Sequence, residues 1–308
     1  MKIRSLRQRK TDTETPRKIK RLKYIAVLPS FITLLNGAFG FIAIIIASRS
    51  PVLRYSLPLM PRSSMTSFAV AGYLIFLAMI ADMLDGRVAR LTRTTSSFGG
   101  QLDSLCDVIS FGIGPAFLMF KLSEFHFEHL NLQPLVFSVL AGRGIFFSAI
   151  IYAMCAVVRL ARFNVENEED ESAHMSFSGI PSPAAAGVVV SLVLLHQQFF
   201  SRGDPDLSQN PTSVELITVF GLPIITLLTG ILMVSRIRSP HVANQLLRSK
   251  KTPPTLLAIF ASCILIIWNF QLAMVIGFCG FALFGVVRWI VLCILRKGHP
   301  KPEAGASS

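Results

Sequence analysis

Charge is scarce in this chain: only 15% of its 308 residues are Asp, Glu, Lys or Arg, while 52% are hydrophobic and mean hydropathy is positive. The apolar residues fall in blocks, without amphipathic spacing. A water-soluble globular domain is thereby excluded, and an integral membrane protein is expected. Cysteine gives no framework either. The five thiols, Cys106, Cys155, Cys263, Cys279 and Cys293, lie within or beside apolar runs, are odd in number and lack metal-ligand spacing, which points to packing thiols. The histidines 126, 129, 174, 196, 241 and 299 show no clustering in sequence, so none is assigned to metal or catalysis. No cleavage site of a secretory signal follows the basic leader.

What is present in excess is positive charge, 30 Lys and Arg against 17 Asp and Glu, a net charge of +13. In a soluble protein that balance would suggest nucleic acid. Here the cations cluster beside apolar runs, as topology signals and contacts to anionic lipid do. Runs long enough to span a bilayer occur near residues 30–48, 67–86, 98–120, 143–164, 182–200, 214–235, 255–270 and 271–295. The expectation is an all-α polytopic bundle of about eight transmembrane helices. Residues 1–23 read as a basic, disordered cytoplasmic tail, with a basic surface helix over Arg17 to Leu28 as the alternative. Residues 24–240 form the core of about six helices, 241–296 add two more, and 297–308 read as a disordered tail. With the N-terminus in the cytoplasm, twenty-four basic residues fall on the cytoplasmic side and six on the other, as the positive-inside rule requires.

Against this apolar background four acids stand out: Asp82, Asp85, Asp103 and Asp107. Residues three or four apart share a helix face, so Asp82 with Asp85, and Asp103 with Asp107, make two acidic pairs at the mouths of the second and third spans. Burying four like charges beside hydrocarbon is very costly unless cations neutralise them. Carboxylate oxygens suit Mg²⁺ or Mn²⁺, and two such ions about 3.5–4 Å apart clamp the attacking and leaving oxygens of a phosphoryl transfer. Intramembrane acids also mark ion pathways, which leaves a cation transporter as an alternative. Clustering at one face, rather than through the membrane thickness, favours the transferase reading.

The spacing Asp82-x2-Asp85-Gly86-x2-Ala89-Arg90-x8-Gly99-x3-Asp103-x3-Asp107 resembles the complete signature of the CDP-alcohol phosphotransferase family. The stretch Arg159-Leu160-Ala161-Arg162-Phe163-Asn164, followed by Gly179-Ile180-Pro181-Ser182-Pro183, looks like the phosphatidylserine-forming branch of that family. The resemblance implies transfer of a phosphatidyl group from CDP-diacylglycerol to the hydroxyl of L-serine, releasing CMP. Glycerol 3-phosphate, inositol or choline are the alternative acceptors. It implies two divalent ions held by Asp82, Asp85 and Asp103, with Asp107 sharing one and serving as general base. Gly86, Ala89, Arg90 and Gly99 would border the CDP group. Asn36, in the first span, is open between a nucleotide contact and an interhelical hydrogen bond. Arg159, Arg162 and Asn164 are the candidates for acceptor or lipid-phosphate recognition. Also implied are a homodimer and a site facing the cytoplasm at a bacterial inner membrane.

Overall fold

A computed structural model describes residues 15–49, 54–57, 60–92, 97–129, 135–169, 179–200, 216–235, 262 and 264–297. Residues 1–14 and 298–308 of the expected tails, and half of the seventh expected span, lie outside the described residues.

The chain is a helical membrane bundle. Helix α1 runs Thr15–Ala47, α2 Ser67–Thr92, α3 Ser97–Asp107, α4 Gly114–His129, α5 Leu135–Glu169, α6 Ser182–Phe200, α7 Leu222–Val234 and α8 Phe270–Lys297. Among the described residues, six helical segments are long and apolar enough to cross a membrane. The expected fifth span is the helix α6, so the count of about eight rests on it and on the partly described seventh. Many large apolar side chains on the outer faces, such as Phe41, Phe147, Ile224 and Leu283, are exposed. In water these would drive aggregation; in a bilayer they meet lipid.

Two local features differ from the expectation. The basic leader is helical from Thr15 onward, continuous with the first span. Pro16 stands in the first turn, where its missing N–H has no partner to lose, and the Lys and Arg residues after it are good helix formers. The loop between α1 and α2 contains a two-stranded antiparallel hairpin, β1 Arg54–Leu57 with β2 Met60–Thr66. Thr66 then caps α2, its Oγ1 accepting from the amide of Ala69 at 3.2 Å.

Helices α3 and α4 form one span joined by a π-helical segment, Val108–Ile113. The cause is Pro115. It cannot donate to the carbonyl of Phe111, and the preceding Gly114 donates to Ile109, five residues back. The Phe111 carbonyl is met instead by the hydroxyl of the fully buried Tyr152 at 3.0 Å, which ties α5 to this point. The same device recurs before α7. Residues Ile217–Gly221 are π-helical, Leu222 donates to Ile217, and Pro223 follows.

With lipid as apolar as the helices themselves, small residues and close backbone approach hold such a bundle together. Buried Ala71, Ala78, Ala156, Ala185 and Ala186 line the helix contacts around Ile75, Phe111, Leu118, Met119 and Val190. The C-terminal helix α8 is docked on this core. Phe278 stacks on Phe76 with ring centroids 5.7 Å apart, and Gln271 donates to the Tyr73 hydroxyl at 2.9 Å.

The segment leading into α6 crosses the end of α7, where Ile180 donates to the Leu232 carbonyl at 3.3 Å. Gly179 makes this crossing with φ of 86°, and a Cβ there would sit 2.2 Å from the Met233 carbonyl oxygen. Gly179→Ala should therefore both strain the backbone and force the segment off α7. We expect a loss of about 2 kcal/mol or more, read as a lower melting temperature in detergent. An unchanged melting temperature would contradict the crossing.

At the end of the bundle opposite the acids, His126 and His196 come together with ring centroids 4.7 Å apart, although 70 residues separate them in sequence. Gln197 approaches His196 Nδ1 at 3.2 Å and accepts from Thr66. The histidines are thus clustered in space, which their sequence spacing did not reveal.

Candidate active site

The acids sit where α2 ends and α3 begins. Helical spacing places Asp82 above Asp85 on α2, and Asp103 above Asp107 on α3. Carboxylate oxygens of Asp82, Asp85 and Asp103 lie within 4.8 Å of one another. Asp107 is within electrostatic reach of all three. Asp85 and Asp107 are buried, Asp82 and Asp103 half-buried.

Three observations bear on whether a cation fits. Asp85 Oδ2 and Asp103 Oδ1 are buried and have no hydrogen-bond partner among the described residues, an arrangement that is costly for any buried polar atom. Among the described residues, no Lys or Arg forms an ion pair with these acids at bonding distance. Opposed oxygen ligands of a Mg²⁺ ion are about 4.2 Å apart, from its bond length of about 2.1 Å. The ligand oxygens all lie within 4.8 Å of one another, a set compact enough to share one such ion, so the residues fit a hard divalent cation.

Around the acids, the first helix supplies two polar side chains. Thr33, which donates to the Pro29 carbonyl at 3.0 Å, also reaches the Asp85 carboxylate, as does the amide of Gly86. Asn36 donates to Asp107 Oδ1 at 2.9 Å. This bond joins the first helix to the third. The helices approach closely here, since a Cβ on Gly40 would lie 2.6 Å from the Cα of Ser110.

The fifth helix reaches the same end of the bundle. Arg159 lies within electrostatic reach of Asp107, and its Nη1 donates to Ser182 Oγ at the start of α6, 2.8 Å away. Its Nε is buried without a partner among the described residues. Asn164 Oδ1 accepts from Ser104 at 2.8 Å, which fixes the end of α5 to α3. Arg162 is exposed, one helical step from Arg159 on the same helix. Gly86, Ala89 and Gly99 are half-buried and Arg90 is exposed. A Cβ on Gly86 would have only Arg90 Nη2 near it, at 4.0 Å. The backbone there is open to a ligand.

Sequence reasoning missed Ser104, Ser110 and Ser182 as bridging groups. Ser104 and Ser110 each stand three residues from Asp107. A polar stripe at that spacing inside an apolar run is the signal that marks them.

A model of the CDP-alcohol phosphatidyltransferase family matches residues 26–234, which contain every acid and every bridging group just described. The chain belongs to the CDP-alcohol phosphatidyltransferase family. Within it, the chain is similar to proteins named CDP-diacylglycerol–serine O-phosphatidyltransferase. The one from Helicobacter pylori is 33% identical over 233 residues, 75% of this chain and 84% of the relative. That of Methanocaldococcus jannaschii is 30% identical, over 73% of this chain and 79% of its own. A Saccharomyces cerevisiae protein of the same name is 33% identical over 54% of this chain and 52% of its own. Helix α8 lies beyond the residues matched to the phosphatidyltransferase family, yet it packs on α2 and α6 of the matched part.

Proposed function

We propose that this membrane protein is a CDP-diacylglycerol–serine O-phosphatidyltransferase. The observation that carries the chemistry is the convergence of Asp82, Asp85 and Asp103 beside Asp107 at one end of the bundle. The acceptor is inferred from the names of the similar proteins in bacteria, archaea and yeast.

In this reading Asp82, Asp85 and Asp103 hold Mg²⁺ or Mn²⁺, with Asp107 at the edge of the set. Bound there, two such ions would neutralise the pyrophosphate and the charge that develops on the leaving phosphate. Gly86 and Ala89 let the CDP group lie against the backbone of α2, with Gly99 across the turn, and Arg90 offers charge-assisted hydrogen bonds to phosphate. The hydroxyl oxygen of serine attacks the phosphorus next to the lipid. Its bond to that phosphorus forms as the pyrophosphate bond breaks, and the bridging oxygen departs with CMP. Asp107 takes the hydroxyl proton at Oδ2, because Oδ1 is engaged by Asn36. Arg159, with Arg162 and Asn164 beyond it, holds the serine carboxylate or the lipid phosphate.

The positive-inside distribution of Lys and Arg supports a site on the cytoplasmic side of a bacterial inner membrane, where serine is available. A homodimer is proposed from the habit of the family.

The test is CMP release by the purified protein in detergent with CDP-diacylglycerol and Mn²⁺ or Mg²⁺, each acceptor supplied separately. Serine-dependent release is expected. Release with glycerol 3-phosphate, inositol or choline alone would keep the transfer chemistry and remove serine.

A further inference from the structure

We propose that Asn36 is a positioning residue for the transfer reaction, holding the Asp107 carboxylate in one orientation instead of contacting the nucleotide. This rests on the reading of Asp107 as the base. Asn36 is fully buried on α1, and its Nδ2 donates to Asp107 Oδ1 at 2.9 Å. An ionised carboxylate only accepts, so the amide nitrogen must be the end that faces it. One of the two amide N–H groups is thereby engaged by the Asp107 carboxylate.

The contact is fixed from both sides. Ser110 Oγ donates to the main-chain carbonyl of Asn36 at 2.9 Å, so the backbone of Asn36 is held as well as its side chain. Asp107 and Ser110, three residues apart, thus grip a single residue of α1. Two glycines make room for this. A Cβ on Gly37 would lie 2.9 Å from Cys106 Sγ, and one on Gly40 would lie 2.3 Å from Ser110 Oγ. Any side chain at either position would push α1 away and lengthen the bond to Asp107.

Asn36 Oδ1 is buried and has no partner among the described residues, so the end of the amide that the fold fixes is the one facing Asp107. The carboxylate torsion is broad and roughly two-fold, and three other carboxylates stand nearby to draw Asp107 into a shared cation shell. The Asn36 amide selects the orientation that keeps Asp107 Oδ2 available to the acceptor hydroxyl.

The experiment measures kcat, KM and direct CDP-diacylglycerol binding in the full-length protein. Asn36→Ala should lower kcat by about 10²-fold, the cost of a misplaced catalytic group. Its dissociation constant for CDP-diacylglycerol should stay within about threefold, as expected when binding is untouched. Added to Asp107→Asn, it should cost nothing further in kcat, because the two residues act as one unit. Asn36→His, which offers Nδ1–H at a similar reach, should recover part of the rate. Ser110→Ala frees the Asn36 backbone but leaves the amide bond to Asp107, and should lower kcat less than Asn36→Ala does. Weakened CDP-diacylglycerol binding with kcat retained would assign Asn36 to the nucleotide and overturn the proposal. So would an unchanged kcat. Should Asn36→Ala fail to fold, Asn36→Ser, too short to reach Asp107, carries the same measurements. A fully active Asp107→Asn would remove the base itself; an inactive Asp107→Asn beside a fully active Asn36→Ala would remove only the positioning role.

Discussion

Asp107→Asn should reduce turnover by about 10³-fold or more, within the range that general bases contribute, while the protein still folds and still binds CDP-diacylglycerol and Mn²⁺. The substitution keeps the size of the side chain and removes its charge and its proton affinity. An asparagine at 107 keeps the shape of the side chain, and its Oδ1 still accepts from the Asn36 amide that bonds Asp107 now. The contacts between α1 and α3 made by Ser110 and Gly40 do not involve the substituted atom. Asp82, Asp85 and Asp103 remain as the cation set. What is lost is an oxygen able to take the hydroxyl proton as the serine oxygen attacks phosphorus. The measurement is CMP release under saturating serine, paired with equilibrium binding of CDP-diacylglycerol. Turnover near the wild-type rate would take Asp107 out of the base role and leave the reaction to a group elsewhere, with Arg159 and its contact to Ser182 as the next region to test. Binding lost together with turnover would instead make Asp107 a ligand first.

The acids were legible in the sequence because their message is local. A carboxylate every three or four residues at the end of an apolar run can mean little else than a shared helix face, and the structure places Asp82, Asp85 and Asp103 accordingly. What surrounds them was not legible, for a different reason in each case. The partner of Asn36 lies 71 residues away, and only packing decides which acid it meets. The π-helical segment behind Asp107 follows from Pro115, a residue that sequence reasoning passes over near the start of a helix; its effect falls on the carbonyls of Phe111 and Ile109, four and six residues upstream. The approach of His126 to His196 depends on how α4 and α6 lie side by side. The hairpin after α1 carries no alternating apolar pattern to announce it; its strands read RYSL and MPRSSMT. Membrane proteins sharpen this contrast. Composition and charge place the spans, whereas interhelical geometry rests on small residues and single hydrogen bonds that have no periodic signature.

Asp85→Asn should reverse the response of the protein to divalent cations. Asp85 is the most buried of the three clustered acids, at 5% exposure, and its Oδ2 has no partner among the described residues. Two unit charges 4.8 Å apart, the limit of the spread among these oxygens, repel by about 3.5 kcal/mol at an effective dielectric of 20. In chelator the wild-type cluster carries that repulsion in three pairs, reduced by the partial exposure of Asp82 and Asp103, and the Asp85→Asn protein keeps only the Asp82–Asp103 pair. The variant should therefore melt a few degrees higher than wild type when cations are removed, on the usual scale relating stability to melting temperature. Added Mn²⁺ inverts the order. A ligand that binds only the folded state stabilises it by about 2.7 kcal/mol at 100 times its dissociation constant, and wild type gains this while the variant, short of one ligand, gains little. Activity should be lost in step, since the remaining pair of acids cannot hold the cation against solvent. Melting curves in chelator and in Mn²⁺, for both proteins, decide the matter. A variant less stable than wild type under chelation would mean that Asp85 is held by Thr33 and the Gly86 amide as a structural group. The cation would then be bound by Asp82 and Asp103 with a ligand from elsewhere. Crossing of the two curves on adding Mn²⁺ would establish that the three acids were arranged for a cation, since no other occupant turns their mutual repulsion into a stabilising set.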